Sequence, residues 1–159
     1  MADFSRLRLG YRLFLAGYPW RRIDPVPFVI PRPPHEATVA IVTSAGVLRP
    51  GTDPPFVRRL GGDPSFRFIP SETPLASLII GQTSDAFDRA PSAHDRNLAL
   101  PIDRLRALAA AGAIGRVAPR HLSFNGSLTA PGRLVAETAP AAARALRTDG
   151  VDLALLVPF

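Results

Sequence analysis

The spacing of apolar positions separates an N-terminal arm from the rest of the chain. Apolar side chains recur every three or four positions through residues 3–17, which predicts an amphipathic helix with one packing face. The residues of this stripe are Phe4, Leu7, Tyr11 and Phe14. Six prolines within residues 19–34 favour an extended strap over a helix. We therefore treat residues 1–34 as a helix and arm, and residues 35–159 as part of one α/β domain.

The first predicted strand is the run TVAIVT at residues 38–43. It is apolar at odd and even positions alike, which is typical of a parallel strand buried on both faces. Prolines and glycines interrupt residues 49–74, so we predict an irregular segment that packs down through its aromatic side chains. Residues 75–81 favour a short strand. The polar residues 82–97 predict a loop.

The second half of the chain has a clearer helical pattern. Pro101 at a first helical turn predicts a helix to about Ala111, capped by Gly112. Residues 113–133 predict a second irregular stretch, with a short strand at residues 122–124.

A further helical pattern covers residues 134–148. Pro140 is compatible with it if the helix starts there with Thr138 as N-cap, and Gly150 would end it. The apolar run VDLALLVPF follows. Helix, glycine and apolar strand in this order predict an α/β fold with a mostly parallel sheet and flanking helices, Rossmann-like or flavodoxin-like. In such sheets ligands bind at the carboxyl ends of the strands.

Charge and composition narrow the function classes. The net charge is +6 and all 19 basic residues are arginines, but five of them lie in the first 22 residues. The nearly neutral body argues against a nucleic-acid-binding stripe. No apolar run approaches the roughly 20 residues of a membrane span, so we expect a cytoplasmic protein. The absence of cysteine excludes a disulfide framework and a thiol nucleophile within these 159 residues.

Several polar positions are candidates for chemistry. His94 and Asp95 form a potential acid/base pair, or else are solvated loop residues. Arg120 and His121 follow a proline and precede Leu122 and Phe124, a placement that would direct the guanidinium to a substrate carboxylate, or else to an internal carboxylate such as Asp103.

Three further positions, Asp63, Ser65 and Arg67, are open to two interpretations. They contact substrate, or they form a turn in which Asp and Ser bond their own backbone. Ser44 and Gly46 end the first strand, where backbone N–H groups could hold an anion, although the glycine-rich spacing of a nucleotide loop is missing. We predict no metal site.

Four stretches of the chain resemble one known family. They are residues 17–47, ending in ATVAIVTSAGV; residues 53–70, DPPFVRRLGGDPSFRFIP; residues 94–126, with HDRN, PIDRL and APRHLSFNG; and DGVDLALLVPF at the end. In order and spacing they resemble the selenoprotein B family of glycine, sarcosine, betaine and D-proline reductases. The resemblance covers most of the chain.

The resemblance implies a redox enzyme subunit. In the family the last strand is followed at once by selenocysteine or cysteine, so we expect this chain to be the N-terminal part of a reductase-type domain, ending just before that residue, as when a UGA codon is read as stop. A following helix would lower the pKa of such a residue.

The resemblance also implies partners and a reaction. We expect an oligomer, a partner subunit that bears a pyruvoyl group, and reductive C–N bond cleavage of a small amino acid or amine. The family is richer in His and Tyr where this chain has residues 84–87, so the substrate stays open. The competing hypothesis is a non-catalytic α/β module, complete at Phe159, for small-anion binding or assembly.

Overall fold

The computed structural model describes residues 9–18, 32–84 and 90–159. The strands are β1 (Thr38–Thr43), β2 (Val47–Leu48), β3 (Phe66–Pro70), β4 (Ile79–Ile80), β5 (Arg116–Val117), β6 (Arg120–Phe124) and β7 (Leu153–Val157). The helices are α1 (Leu9–Gly17), α2 (Ala90–His94), α3 (Ile102–Ala110) and α4 (Ala139–Thr148). Short 3-10 turns cover Pro34–Glu36, Leu75–Ser77 and Arg96–Leu98, and a π-helical turn at Leu134–Thr138 leads into α4.

The main sheet is mixed but mostly parallel. Strand β1 pairs in parallel with β5, β6 and β7, and β3 pairs antiparallel with β6. A separate two-stranded antiparallel sheet joins β2 to β4. The predicted α/β class with a largely parallel sheet and flanking helices is confirmed.

Strand β1 lies at the centre of this sheet, with β7 on one side and β5 and β6 on the other. Its side chains alternate between two cores, as the strand period requires. Val39 and Ile41 belong to a cluster with residues of α3, whereas Ala40 belongs to a cluster with Ala142 and Leu146 of α4. The two helices therefore cover opposite faces of β1, which confirms the prediction of a strand buried on both faces.

Strands β5 and β6 are two parts of one interrupted strand along the same edge of β1. Thr38 pairs with Arg116 and Val42 with Leu122, so four steps along β1 face six steps along the neighbouring segment. Two extra residues are therefore accommodated at the interruption, as in a bulge. The backbone N–H of Ile41 donates there to the side chain of His121.

The structure corrects the prediction that residues 49–74 lack regular structure. Residues 66–70 form β3, an outer strand whose residues alternate between partly exposed and buried. The proline at its end is tolerated because an outer strand does not need every N–H for pairing. Pairing with β6, which is distant in sequence, selects the extended conformation.

Two further predictions need correction. The segment 82–97 contains helix α2, so it is not wholly a loop. Thr138 is not an N-cap, since it has helical φ and ψ of −80° and −35° and its side chain makes no capping hydrogen bond. The helical path already begins in the π-helical turn. Pro140 is tolerated because it lies in the first turn of α4, where an N–H is dispensable.

Other boundaries agree with the sequence. Helix α3 is followed by Gly112 at φ 71°, and α4 by Gly150 at φ 70°, both as predicted. Strand β7 confirms the final strand. Helix α1 confirms helical structure for residues 9–17, while residues 3–8 and the proline-rich residues 19–31 lie outside the described part of the chain.

Candidate functional site

A cavity of about 690 Å³ lies at the carboxyl ends of β1, β6 and β7. This is the edge where ligands bind in parallel α/β sheets, and an apolar wall with few polar groups is typical of a small-molecule site. The apolar wall includes Val42, Phe124, Leu128, Pro131, Leu134, Ala139, Leu156, Val157 and Pro158. The polar residues of its lining are Thr43, Ser44, Asp63 and Asn125.

Ser44 joins the ends of the three strands. Its N–H donates to the carbonyl of Val157 over 3.1 Å, and its carbonyl accepts from Gly126 N–H over 2.8 Å. Its hydroxyl Oγ accepts from the N–H of Phe159 over 2.9 Å. Ser44 therefore sets where the chain leaves β7 at the rim of the cavity.

Gly46 shapes the turn after β1. Its φ of +71° is left-handed, and a Cβ there would lie 3.0 Å from the backbone nitrogen of Gln82. The N–H groups of Ser44, Ala45 and Gly46 all donate within the protein. The predicted anion interaction would have to displace these bonds, so the geometry favours a structural role for Gly46.

Three polar residues behind Ser44 were not predicted from the sequence. Asn125 donates through Nδ2 to Thr83 Oγ1 over 2.6 Å, and Gln82 donates through Nε2 to the carbonyl of Ser44 over 3.3 Å. Asn125 and Gln82 are both buried. The sequence signal that could have found them is a polar residue close after a short strand, Asn125 after β6 and Gln82 after β4.

Asp63, Ser65 and Arg67 come together, as their spacing suggested. Asp63 accepts from the N–H of Val57 over 2.9 Å and from Ser65 Oγ over 2.6 Å. Burial alone would raise the pKa of Asp63, but the hydrogen bonds from Ser65 and Val57 and the charge of Arg67 hold that pKa below its usual value. The carboxylate is thus ionised and internally bonded, and it borders the cavity.

Arg67 faces the preceding segment and is buried. Its Nε donates to the carbonyl of Pro54 over 2.7 Å, and its guanidinium lies 4.3 Å from the ring centroid of Phe56. It also donates to Ser65 Oγ over 2.9 Å. These contacts fold residues 54–65 against the domain. Arg67 does not line the cavity. Its contacts are all within the protein, as expected if Asp63, Ser65 and Arg67 form a turn.

Arg120 pairs with a carboxylate of the protein. Its Nε and one terminal nitrogen lie 2.7 and 3.1 Å from the oxygens of Asp149, at the end of α4. Its guanidinium also stacks on Phe68 at 3.9 Å from the ring centroid. The internal partner is thus Asp149 rather than Asp103, and this bidentate pair ties β6 to α4.

His121, the second residue of β6, is fully buried next to the interruption between β5 and β6. Its Nδ1 accepts from the N–H of Ile41 over 3.0 Å, so Nε2 carries the proton and donates to Ser71 Oγ over 3.1 Å. Burial and the charge of Arg106 lower the pKa of His121 to about 4. This neutral ring completes the hydrogen bonding of β1 and does not line the cavity.

His94 and Asp95 do not line the cavity. They lie between the end of α2 and the turn Arg96–Leu98 that precedes α3. His94 is exposed at the end of α2. Asp95 accepts from the N–H of Asn97 over 2.9 Å, and that backbone hydrogen bond is the main cause of its lowered pKa. Asn97 in turn accepts from the N–H of Asp103 over 3.2 Å. The D-x-N sequence thereby positions the beginning of α3.

Two further properties concern only the described residues. Among residues 9–18, 32–84 and 90–159, no group of three His, Cys, Asp or Glu side chains could hold a metal ion. In the same part of the chain, no helix has the length and apolar character needed to cross a bilayer.

Comparison with known proteins identifies the family. Residues 8–158 match the family described as glycine/sarcosine/betaine reductase selenoprotein B. The chain is 36% identical over 121 residues to the D-proline reductase subunit gamma of Acetoanaerobium sticklandii, covering 76% of this chain and 48% of that relative. It thus spans about half the length of the relative. No solved structure matches. The resemblance found in the sequence is confirmed, and the chain belongs to the glycine/sarcosine/betaine reductase selenoprotein B family.

Proposed function

We propose that the chain forms the N-terminal part of a reductase subunit that cleaves the C–N bond of a small amino acid or amine. The observation that carries this proposal is the cavity at the carboxyl ends of β1, β6 and β7, since β7 leads the chain directly to its rim. Family membership supplies the reaction class. In the reaction, two electrons and two protons convert the C–N bond into a C–H bond and an N–H bond.

The redox residue is proposed to follow Phe159, two residues beyond the end of β7, in a longer subunit, as selenocysteine or cysteine. Such a residue would supply a selenolate or thiolate nucleophile, and the 159 residues of the chain contain no cysteine. A partner subunit with a pyruvoyl group would present the substrate. The described residues would act by positioning and by excluding water.

Two parts of the cavity have assigned roles in this proposal. Ser44 holds the backbone of Phe159 through its hydroxyl and thereby orients the exit of β7. Leu128, Leu134 and Leu156 form an apolar wall that keeps water from the reacting bond. Of the predicted substrate contacts, Ser44 and Asp63 border the cavity and remain the candidates for direct contact with substrate.

An activity assay on the longer subunit tests the proposal. The subunit, assembled with its partners and a thiol reductant, should reductively cleave a C–N bond of glycine, sarcosine, betaine or D-proline. Replacing the residue that follows Phe159 by serine should abolish turnover while assembly is retained.

The matched control is Ser92→Ala, a buried serine of α2 that does not line the cavity. It should keep turnover close to that of the unchanged enzyme. Full turnover by the variant with serine after Phe159, or a longer subunit with neither selenocysteine nor cysteine at that position, would show the proposal to be wrong.

A further inference from the structure

A second groove, of about 380 Å³, lies beside the cavity, and we call it the arginine groove. It is lined by Arg59, Leu60, Gly61, Gly62, Pro64, Ala130, Gly132 and Arg133. Pro64 borders both the arginine groove and the cavity. A molecule bound in the groove would therefore lie next to the cavity.

The tip of the loop that forms the groove is exposed and well anchored. Leu60 is fully exposed and Val57 is 56% exposed. The carbonyl of Gly61 nevertheless accepts from the N–H groups of Thr129 and Ala130 over 3.1 and 3.0 Å. Because these hydrogen bonds already hold the backbone of the loop, the loop itself loses little conformational entropy when a partner covers Leu60.

Glycine is required at position 62, where the loop that contains Leu60 meets the loop that contains Ser127. Gly62 has a φ of +85°, and a Cβ there would lie 2.2 Å from the carbonyl oxygen of Ser127. The N–H of Gly62 also donates to the carbonyl of Arg59 over 3.0 Å. The close approach holds the side chains of Arg59 and Leu60 at the groove.

The charged side chains that line the groove are both arginines. The side chains of Arg59 and Arg133 are 45% and 63% exposed, and Arg59 lies 4.0 Å from Asp63, whose side chain is only 6% exposed. Arg133 pairs with Glu137 one turn along the same helical segment, and exposed pairs of this kind are weak enough to be replaced. A partner surface complementary to the groove would present carboxylates around an apolar side chain.

We infer that the arginine groove binds an acidic segment of a partner subunit, with an apolar side chain of that segment against Leu60 and Pro64. Carboxylates of the segment pair with Arg59 and Arg133. This inference rests on the proposed function, because it assigns the contact by which a partner reaches the mouth of the cavity.

Site-specific photocrosslinking in the assembled reductase tests the contact. Benzoylphenylalanine at position 60 should crosslink to a partner peptide that contains Asp or Glu. The same group at position 108, replacing an exposed leucine of α3, is the matched control and should not crosslink to that peptide.

Charge reversal provides the second arm of the experiment. Arg133→Glu and Leu60→Asp should each weaken partner binding by about tenfold or more, and binding of the unchanged subunit should weaken as salt is added. Arg144→Glu and Leu108→Asp carry the same changes on exposed positions of α4 and α3 and should bind as the unchanged subunit does. Thermal unfolding checks that each variant is folded.

Three results would overturn the inference while leaving the proposed function intact. They are an active complex without a crosslink at position 60, a crosslink only to a second copy of this chain, and full partner binding by both groove variants. Failure of the unchanged subunit to join any reductase complex would instead overturn the proposed function together with the inference.

Discussion

Strands β1 and β7 lie side by side with similar apolar sequences, yet their surroundings differ. Five of the six β1 residues are buried, whereas three of the five β7 residues are exposed, including Leu155 and Leu156. Strand β1 has neighbours at both edges and helices over both faces. Hydrophobicity therefore predicts that both segments are strands, but burial depends on the elements that pack around them. Leu155 and Leu156 point to opposite faces of the sheet, and Leu156 lines the cavity.

The largest expected difference between the two strands is in stability. Ile41→Ala should lower the free energy of unfolding by about 3 kcal/mol, because the fully buried side chain leaves a cavity. Leu156→Ala should cost less than about 1 kcal/mol, because that side chain is already largely exposed. Urea denaturation of both variants measures the difference. Equal costs would mean that β7 is packed as tightly as β1.

The second prediction concerns how the free energy of unfolding depends on pH through His121, which accepts a hydrogen bond from the N–H of Ile41 in β1. The unfolded chain protonates His121 near pH 6.5, but the folded protein does so only near pH 4. Stability should therefore fall as the pH drops through this window, by up to about 3 kcal/mol. Urea midpoints between pH 7 and 4 measure the fall.

His121→Asn is the control for that measurement. Asparagine keeps an acceptor for the N–H of Ile41 but has no ionisable ring, so the part of the slope due to His121 should disappear. An unchanged slope in this variant would show that other groups cause the acid sensitivity.

A smaller loss of stability is expected from a change in the loop that contains Gly62, beside the cavity. Gly62→Ala should cost about 2 kcal/mol, because alanine is strained at φ +85° and its Cβ would meet the backbone of Ser127. Gly132→Ala is the matched control, since nothing lies within 4 Å of a Cβ there, and it should change stability by less than about 0.5 kcal/mol. Thermal unfolding compares the two. Equal melting temperatures would contradict the close packing of the two loops.

The elements predicted correctly have local signals. Strand β1, helix α3 and strand β7 follow from continuous apolar runs or from helical spacing with a terminal glycine. Strand β3 was missed because its neighbours are rich in proline and glycine, and because its pairing partner β6 begins 50 residues after Pro70. Thr138 was misassigned because a π-helical turn before Pro140 has no distinct sequence signal.

The candidate site was less predictable than the fold. The sequence pointed to the carboxyl edge of the sheet as the ligand site, and the structure has a cavity at that edge, bordered by Ser44 and Asp63. It could not show that Arg120 pairs with Asp149, because pairing with an internal carboxylate and pairing with a substrate carboxylate need the same residue. Asn125 was missed because its hydrogen-bond partner, Thr83, belongs to another loop, 42 residues earlier in the chain.

The most direct test of the account is to map alkylation in the longer subunit. The reduced protein is treated with iodoacetamide at neutral pH, where a selenolate or an activated thiolate reacts fastest, and is then digested and analysed by mass spectrometry. We predict that the fastest label appears on the residue proposed to follow Phe159, and that substrate bound in the assembled complex slows its formation. Labelling confined to other positions, or a labelling rate at that residue that does not respond to substrate, would contradict the placement of the redox site at this cavity.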